Sequence, residues 1–274
     1  MTFRERLWNA SPRSLLEGIQ RRLAGKPSWV TVRHGPLAGH QMWLAPLQGP
    51  AWKEMAEGVF DAGMFSALAG TAPTGGCFWD IGAHFGYHSL CFAALGGERG
   101  RVLAFEPNPF NRERLAFNLG RNPDLGRRIE VIPKAVASRD GEMEFIFSAE
   151  IENGMSSCSY LKEGLPPLEL GEGNGFTRQK VATVAIDSFI RARNEPAPDV
   201  IKIDVEGGEQ LVLEGGRDLL ARYKPLLLME VHNIQLMLHV QALLTDVGYR
   251  LELVDDPHSS DSRCFVLARP RTGR

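Results

Sequence analysis

Residues 78–90, Phe-Trp-Asp-Ile-Gly-Ala-His-Phe-Gly-Tyr-His-Ser-Leu, constrain the fold of this 274-residue chain more than any other stretch. Apolar Phe78, Trp79 and Ile81 suit a strand buried in a parallel sheet, while Gly82 and Gly86 let the backbone turn sharply and approach a ligand with no side chain between. Strand, glycine loop and helix in that order predict an open α/β sheet, which binds ligands at the carboxyl ends of its strands. Asp80 falls at such an end, so its carboxylate is expected to face the crevice and meet a cationic or hydrogen-bond-donating group.

The glycine spacing separates two cofactor classes. A dinucleotide pyrophosphate needs Gly-x-Gly-x-x-Gly so that it can lie on bare backbone at a helix start. Here His84, Phe85 and Tyr87 crowd the loop, and no Arg or Lys stands within it. S-adenosylmethionine carries no phosphate; its sulfonium and amino groups suit Asp80 and the loop amides. The next apolar run, Val102 to Phe105, ends in Glu106 and is stopped by Pro107-Asn108-Pro109. An acid about 20 residues or a little more after a glycine loop is placed to accept both ribose hydroxyls of a nucleoside.

Five segments in order carry a family resemblance: Asp80 to Ser89, Ala104 to Asn108, Lys134 to Ser138 with Asp140-Gly141, Ile201 to Gly207 with Glu209, and Met229 to His232. On these the chain resembles the FkbM-type class I S-adenosylmethionine-dependent methyltransferases, mostly O-methyltransferases of sugars and secondary metabolites. The likeness runs from about Gly58 to the end, and Ile-Asp-Val-Glu-Gly is its most specific part. Upstream, Gly58-Val-Phe60-Asp61 departs from the Gly-x-Tyr-Glu common in such proteins, keeping an aromatic and an acid but shortening the acid. The resemblance implies cofactor contacts at Asp80, Gly82, Ala83, His84 and Gly86 in the loop. It implies further contacts at Glu106, Pro107 and Asn108 after the second strand, at Ala135 beside the adenine, and at Asp204.

The expected fold is a doubly wound, Rossmann-like class I methyltransferase sheet, mostly parallel with an antiparallel edge strand, behind a small N-terminal cap. Residues 1–57 are expected to form the cap and 58–274 the methyltransferase domain. In the cap, Leu15, Ile19 and Leu23 recur at helical spacing. Arg4, Arg6, Arg13, Arg21 and Arg22 raise the sharper possibility of membrane-surface attachment, but Glu5 and Glu17 interrupt the basic face. The stretch lacks the apolar core of a secretory signal. Trp29 to Leu44 reads as a hairpin and Ala51 to Ala69 as a helix whose Trp52, Phe60 and Phe65 suit the core better than a substrate mouth. Glu209 to Arg222 reads as a helix, Thr183 to Ala192 as a helix or turn, and Tyr249 to Val254 with Cys264 to Ala268 as a closing antiparallel pair. Gly141 to Phe147 alternates as an edge strand or added hairpin would, and Lys134 reads as a solvated strand-end lysine. Residues 149–179, rich in Gly, Pro, Glu and Ser, read as a long loop that folds over substrate.

Hydrophobic residues make up 43%, ample for a large core, and a net charge of −2 gives no electrostatic footprint for nucleic acid. A small-molecule or saccharide substrate is therefore expected, with no nucleic-acid partner and no membrane span; the oligomeric state is left open. Four scattered cysteines without a Cys-x-x-Cys pair fit reduced thiols in a cytoplasmic enzyme.

Methyl transfer to a neutral hydroxyl calls for a base or metal near the methyl group. Asp204 and Glu206 after the fourth strand, and Glu230 and His232 after the fifth, qualify by position. Asp204, Glu206 and His232 are taken as catalytic, with His232 as first choice of base because an imidazole accepts a proton near neutrality. The competing reading of His232 is a loop histidine capping the next helix, and that of Glu206 a cap on the Gly207-Gly208 turn. Lys202 is expected to pair with a neighbouring acid. The same four residues could bind a divalent metal, the less favoured reading for want of any fixed ligand spacing. The leading function is S-adenosylmethionine-dependent O-methylation of a small polar molecule, saccharide or secondary metabolite. A non-catalytic nucleoside-binding protein and a nicotinamide-dependent oxidoreductase are the alternatives.

Overall fold

The computed structural model describes residues 27–47, 49–68, 70–71, 73–148, 159–164, 176–254 and 264–271. The helix expected around Leu15 to Leu23 and the serine-rich part of the 149–179 loop lie outside them.

The chain enters as an antiparallel hairpin, β1 (Ser28–Thr31) and β2 (Gln41–Leu44), followed by α1 (Pro50–Glu57) and α2 (Ala62–Leu68). One helix was expected across α1 and α2. It breaks at Gly58 because this residue closes α1 in the left-handed conformation, φ 79°, against the hairpin, where any Cβ would meet the His34 carbonyl at 2.0 Å. Next come β3 (Cys77–Ile81), α3 (Tyr87–Gly96), β4 (Arg101–Phe105), α4 (Pro109–Arg121), the single turn α5 (Pro123–Gly126) and β5 (Ile129–Ile132). Then follow β6 (Ala135–Val136), β7 (Gly141–Ser148), β8 (Tyr160–Leu161), β9 (Phe176–Val184) and α6 (Ile186–Arg193). The chain closes with β10 (Val200–Ile203), α7 (Glu209–Glu214), α8 (Arg217–Tyr223), β11 (Leu226–Val231), α9 (Ile234–Asp246), β12 (Tyr249–Val254) and β13 (Cys264–Pro270).

Seven strands form the central sheet in the order β12-β13-β11-β10-β3-β4-β5. The last five of these are parallel, and β13 runs antiparallel between β11 and β12. The antiparallel strand thus stands one place in from the edge. The order in which strands are added to the sheet reverses between β3 and β10, whose carboxyl ends flank the crevice where doubly wound sheets bind ligands. Alternate residues face opposite layers: Trp79, Ile81, Leu103 and Ile203 pack under α6 to α9, and Phe78, Val102 and Ala104 under α1 to α4 and the hairpin.

A second sheet, β6-β9-β7-β8, goes beyond the edge strand or added hairpin expected at Gly141 to Phe147. Strand β9 occupies residues read as the end of a loop and the start of a helix; β7 pairs with it along its full length and is no edge strand. The helix expected from Glu209 to Arg222 is broken at Gly215 and Gly216. There the backbone runs so close to Ala137 that a Cβ on Gly215 would lie 2.1 Å from its carbonyl oxygen.

Candidate active site

A cleft of about 660 Å³, counting the open space at its mouth, lies over the carboxyl ends of β3, β4 and β10. The glycine loop forms one side, and the second sheet supplies a wall through Ala135, Phe145 and Leu161. Gly82 is held at φ 82°, and a Cβ there would fall 1.8 Å from the Asp204 carbonyl, so only glycine lets the β3 and β10 ends approach this closely. Gly86, φ 90°, begins α3 and packs against Leu115.

Glu106, 4% exposed, is the hub of the cleft wall at the end of β4. Its Oε2 accepts the His84 amide at 2.7 Å, and its Oε1 accepts the Asn108 amide at 2.8 Å and the Asn111 side-chain amide at 3.4 Å. Burial pushes this carboxyl up to about 7, against those amide bonds, which favour its charge. Asn108 also caps α4 by accepting from Phe110. Burial, with Arg114 adding to it, drives the His84 imidazole down to about 3.

The loop departs from expectation in two ways. The amides of Gly82 and Ala83 donate to the Phe105 carbonyl, that of His84 to Glu106 and that of Gly86 to the Ala83 carbonyl. Four loop donors are therefore occupied, leaving a poor cradle for phosphate or for the cofactor amino acid. Asp80, moreover, does not face the crevice. Strand alternation turns it under α3, where it is fully buried, accepts Ser89 Oγ at 2.5 Å and lies 3.3 Å from Lys202 Nζ in the adjacent register of β10. Lys202 also pairs with Asp204 at 3.4 Å and donates to the Gly82 carbonyl at 2.9 Å, stitching the two strand ends together. Burial disfavours its charge, but Asp204 and Asp80 outweigh burial and raise its pKa. Asp61 is part of the same interior, 2.8 Å from His88 Nε2.

Of the sequence-predicted cofactor residues, Gly82, His84, Glu106, Pro107, Ala135 and Asp204 line the cleft, whereas Asp80, Ala83, Gly86 and Asn108 support it from behind. Lys134, expected in solvent, lines the cleft, as do Asn111 and Ser159, which sequence reasoning missed. Asn111 was readable as the residue one helical turn after the Asn108 cap. Phe60 is buried in the core, and Trp52 stacks on Phe85 with centroids 5.1 Å apart, under the Arg114 guanidinium.

Where Asp204 and Glu206 line the cleft, four carboxylates gather round His232, which with Glu209 and Glu230 stands outside the lining. Nδ1 donates to Glu209 Oε1 at 2.7 Å, and Nε2 lies 3.3 Å from Glu206, 3.7 Å from Asp204 and 3.8 Å from Glu230. Asn233, not His232, caps α9, accepting from Leu236 at 2.8 Å. Burial alone would lower the imidazole, but Glu209, Asp204 and Glu206 outweigh it and raise it to about 10. Its own burial and the charge of Asp204 raise Glu206, while Lys202 holds Asp204 below the ordinary carboxylate range despite burial. Glu209, fully buried at the start of α7, carries part of the family resemblance but was assigned no role from sequence.

Strand order, glycine loop and strand-end acid together define a class I methyltransferase. The Methyltransferase FkbM domain matches residues 80–251, and the chain belongs to that family. It is 26% identical over 263 residues to the hexuronic acid methyltransferase AglP of Haloferax volcanii, covering 92% of this chain and 98% of that one. It is 29% identical over 217 residues to the 31-O-demethyl-FK506 methyltransferase FkbM of Streptomyces tacrolimicus, covering 72% and 82%. Among solved structures, methyltransferase FkbM from Methylobacillus flagellatus superposes with a TM-score of 0.50 at 19% identity, over 70% of this chain and 43% of that one. Among the described residues no helix is long and apolar enough to cross a membrane, and Cys77, Cys91 and Cys264 are free thiols.

Proposed function

We propose that the protein transfers the methyl group of S-adenosylmethionine to a hydroxyl of a small polar molecule, with saccharides first among them. The carrying observation is Glu106: a buried carboxylate that lines the cleft and is fixed from behind by three amide donors, with lone pairs left for ribose hydroxyls. Adenine packs on Ala135, and Asp204, which lines the cleft where Asp80 does not, meets the ammonium end of the cofactor. The occupied loop amides argue against a dinucleotide, whose pyrophosphate needs free backbone donors.

Transfer is an in-line displacement in which positive charge on sulfur disappears, so holding donor and acceptor in line supplies much of the rate, about 7 kcal/mol or more for a well-aligned pair. The acceptor proton leaves to the carboxylates of the Asp204, Glu206 and His232 cluster: His232, the first choice of base from sequence, is raised to about 10 by Glu209, Asp204 and Glu206 and already holds its proton near neutrality. The Haloferax relative's description makes hexuronic acids the first acceptors to try. Calorimetric titration with S-adenosylhomocysteine and with NADH tests the cofactor, and mass analysis of a hexuronic acid incubated with enzyme and S-adenosylmethionine tests the acceptor class. Binding of the nucleoside thioether and a methyl ether product are expected. Binding of NADH alone would falsify the reading.

A further inference from the structure

Three carboxylate oxygens surround one ring nitrogen where β10 and β11 end: Glu206 Oε2 at 3.3 Å, Asp204 Oδ1 at 3.7 Å and Glu230 Oε1 at 3.8 Å from His232 Nε2. An imidazole N–H bonds one acceptor at about 2.7–3.2 Å. None of these three oxygens is that close, although the ring is nine-tenths buried, its side chain 10% exposed. Behind the ring, Glu209 accepts from Nδ1 at 2.7 Å and from the Gly207 amide at 3.2 Å. A carboxylate on one ring nitrogen fixes the imidazole with the other nitrogen facing forward, where an ion displaces its proton, the way proteins present histidine to a metal. One ligand atom each from Asp204, Glu230 and His232 lies within 4.8 Å of the others. Metal–ligand bonds of about 2.0–2.2 Å set neighbouring ligands about 3.0–3.5 Å apart, so rotamer adjustments of about 1 Å close the set round an ion.

We propose that Asp204, Glu230 and His232 hold a divalent cation, with Glu209 as the positioning residue behind the imidazole. Two carboxylates and one imidazole, with Asp204 lining the cleft, suit magnesium or manganese rather than a thiophilic metal. The ion's catalytic part rests on the methyltransferase reading above; its binding does not. The acceptor hydroxyl takes an open position on the ion, which lowers its pKa. Its proton leaves to solvent, its oxygen forms the new C–O bond, and the methyl–sulfur bond breaks with the electron pair retained by sulfur. Neutral S-adenosylhomocysteine and the methyl ether result.

Manganese ion is the probe. Titrated into chelator-treated protein, it is expected to bind once per chain, with Glu230→Gln and His232→Ala weakening it about 100-fold or more and Glu209→Gln about 10- to 100-fold. S-adenosylhomocysteine titrated into the same samples reads the cofactor seat and the folded state separately; Glu230→Gln is expected to leave that affinity unchanged. Chelator is expected to abolish methyl transfer, and magnesium or manganese to restore it. Manganese binding that Glu230→Gln leaves intact, or full turnover in chelator, overturns the proposal and leaves the methyltransferase reading standing. Protein that binds manganese at these residues but not S-adenosylhomocysteine upholds the metal site and overturns that reading.

Discussion

Glu106 and Lys202 carry the two sharpest residue-level consequences. The Glu106 carboxyl, near 4.5 in an unfolded chain, is raised to about 7 in the fold. The folded state therefore binds its proton more tightly than the unfolded state, so this group's contribution to stability falls as pH rises from 4.5 through about 7. Cofactor binding has the opposite slope, because ribose hydroxyls donate best to the ionised carboxylate. S-adenosylhomocysteine affinity is expected to rise up to about tenfold per pH unit on approaching 7 and then level; Glu106→Gln should bind more weakly and flatten the profile. Calorimetry from about pH 5 to about pH 8 checks this, and a flat wild-type profile would remove the nucleoside role of Glu106. Lys202 neutralises Asp80 and Asp204 in the interior. Lys202→Met leaves buried carboxylates unpaired and is expected to cost about 3–5 kcal/mol in denaturant unfolding, partly recovered by adding Asp80→Asn. Equal stability of Lys202→Met and wild type would contradict the interior pairing.

At the scale of elements, the glycine loop is fixed by contact between strands. A methyl group at position 82 would sit 1.8 Å from the Asp204 carbonyl and force left-handed backbone on a residue with a Cβ. Gly82→Ala is therefore expected to separate the β3 and β10 ends and weaken S-adenosylhomocysteine at least about tenfold while far-ultraviolet dichroism stays near wild type. Unchanged affinity would mean that the loop tolerates the shift. The elements built on largely apolar runs, β3, β4, β10 and β11, were legible in sequence because both faces of a parallel sheet are buried. Strand β9 was not: residues 177–180 are exposed, and β9 forms a strand because β7 pairs with it. The helix breaks at Gly58 and Gly215 depend on carbonyls of His34 and Ala137, distant in sequence, and no local propensity reveals them. The site was legible in the same degree. Strand-end position was enough to bring Glu106, Asp204, Glu206 and His232 to the carboxyl end of the sheet, but placing Asp80 required knowing which face of β3 it turns to and that Lys202 lies beside it.

Over the whole molecule, the hairpin shares a core with the sheet: Val32, Met42 and Leu44 belong to the same buried cluster as Phe78, Leu90 and Phe92. Leu44→Ala is expected to cost about 2–5 kcal/mol and to lower a single unfolding transition, since the deleted methyl groups come from the shared interior. A separate early transition for the hairpin would show that it folds apart from the sheet. The cleft stands between this body, which fixes the glycine loop through α3, and the second sheet, which walls the cofactor side. The central claim is that a methyl group leaves a cofactor held by Glu106 for a hydroxyl brought to Asp204, Glu206 and His232. Transfer from S-adenosylmethionine bearing a labelled methyl group to a panel of hexuronic acids and other hydroxyl compounds tests this most directly. Label in an acceptor, with an equal yield of S-adenosylhomocysteine and loss of both in Glu106→Ala, is the predicted result; enzyme that binds the cofactor yet releases no label to any hydroxyl compound contradicts it.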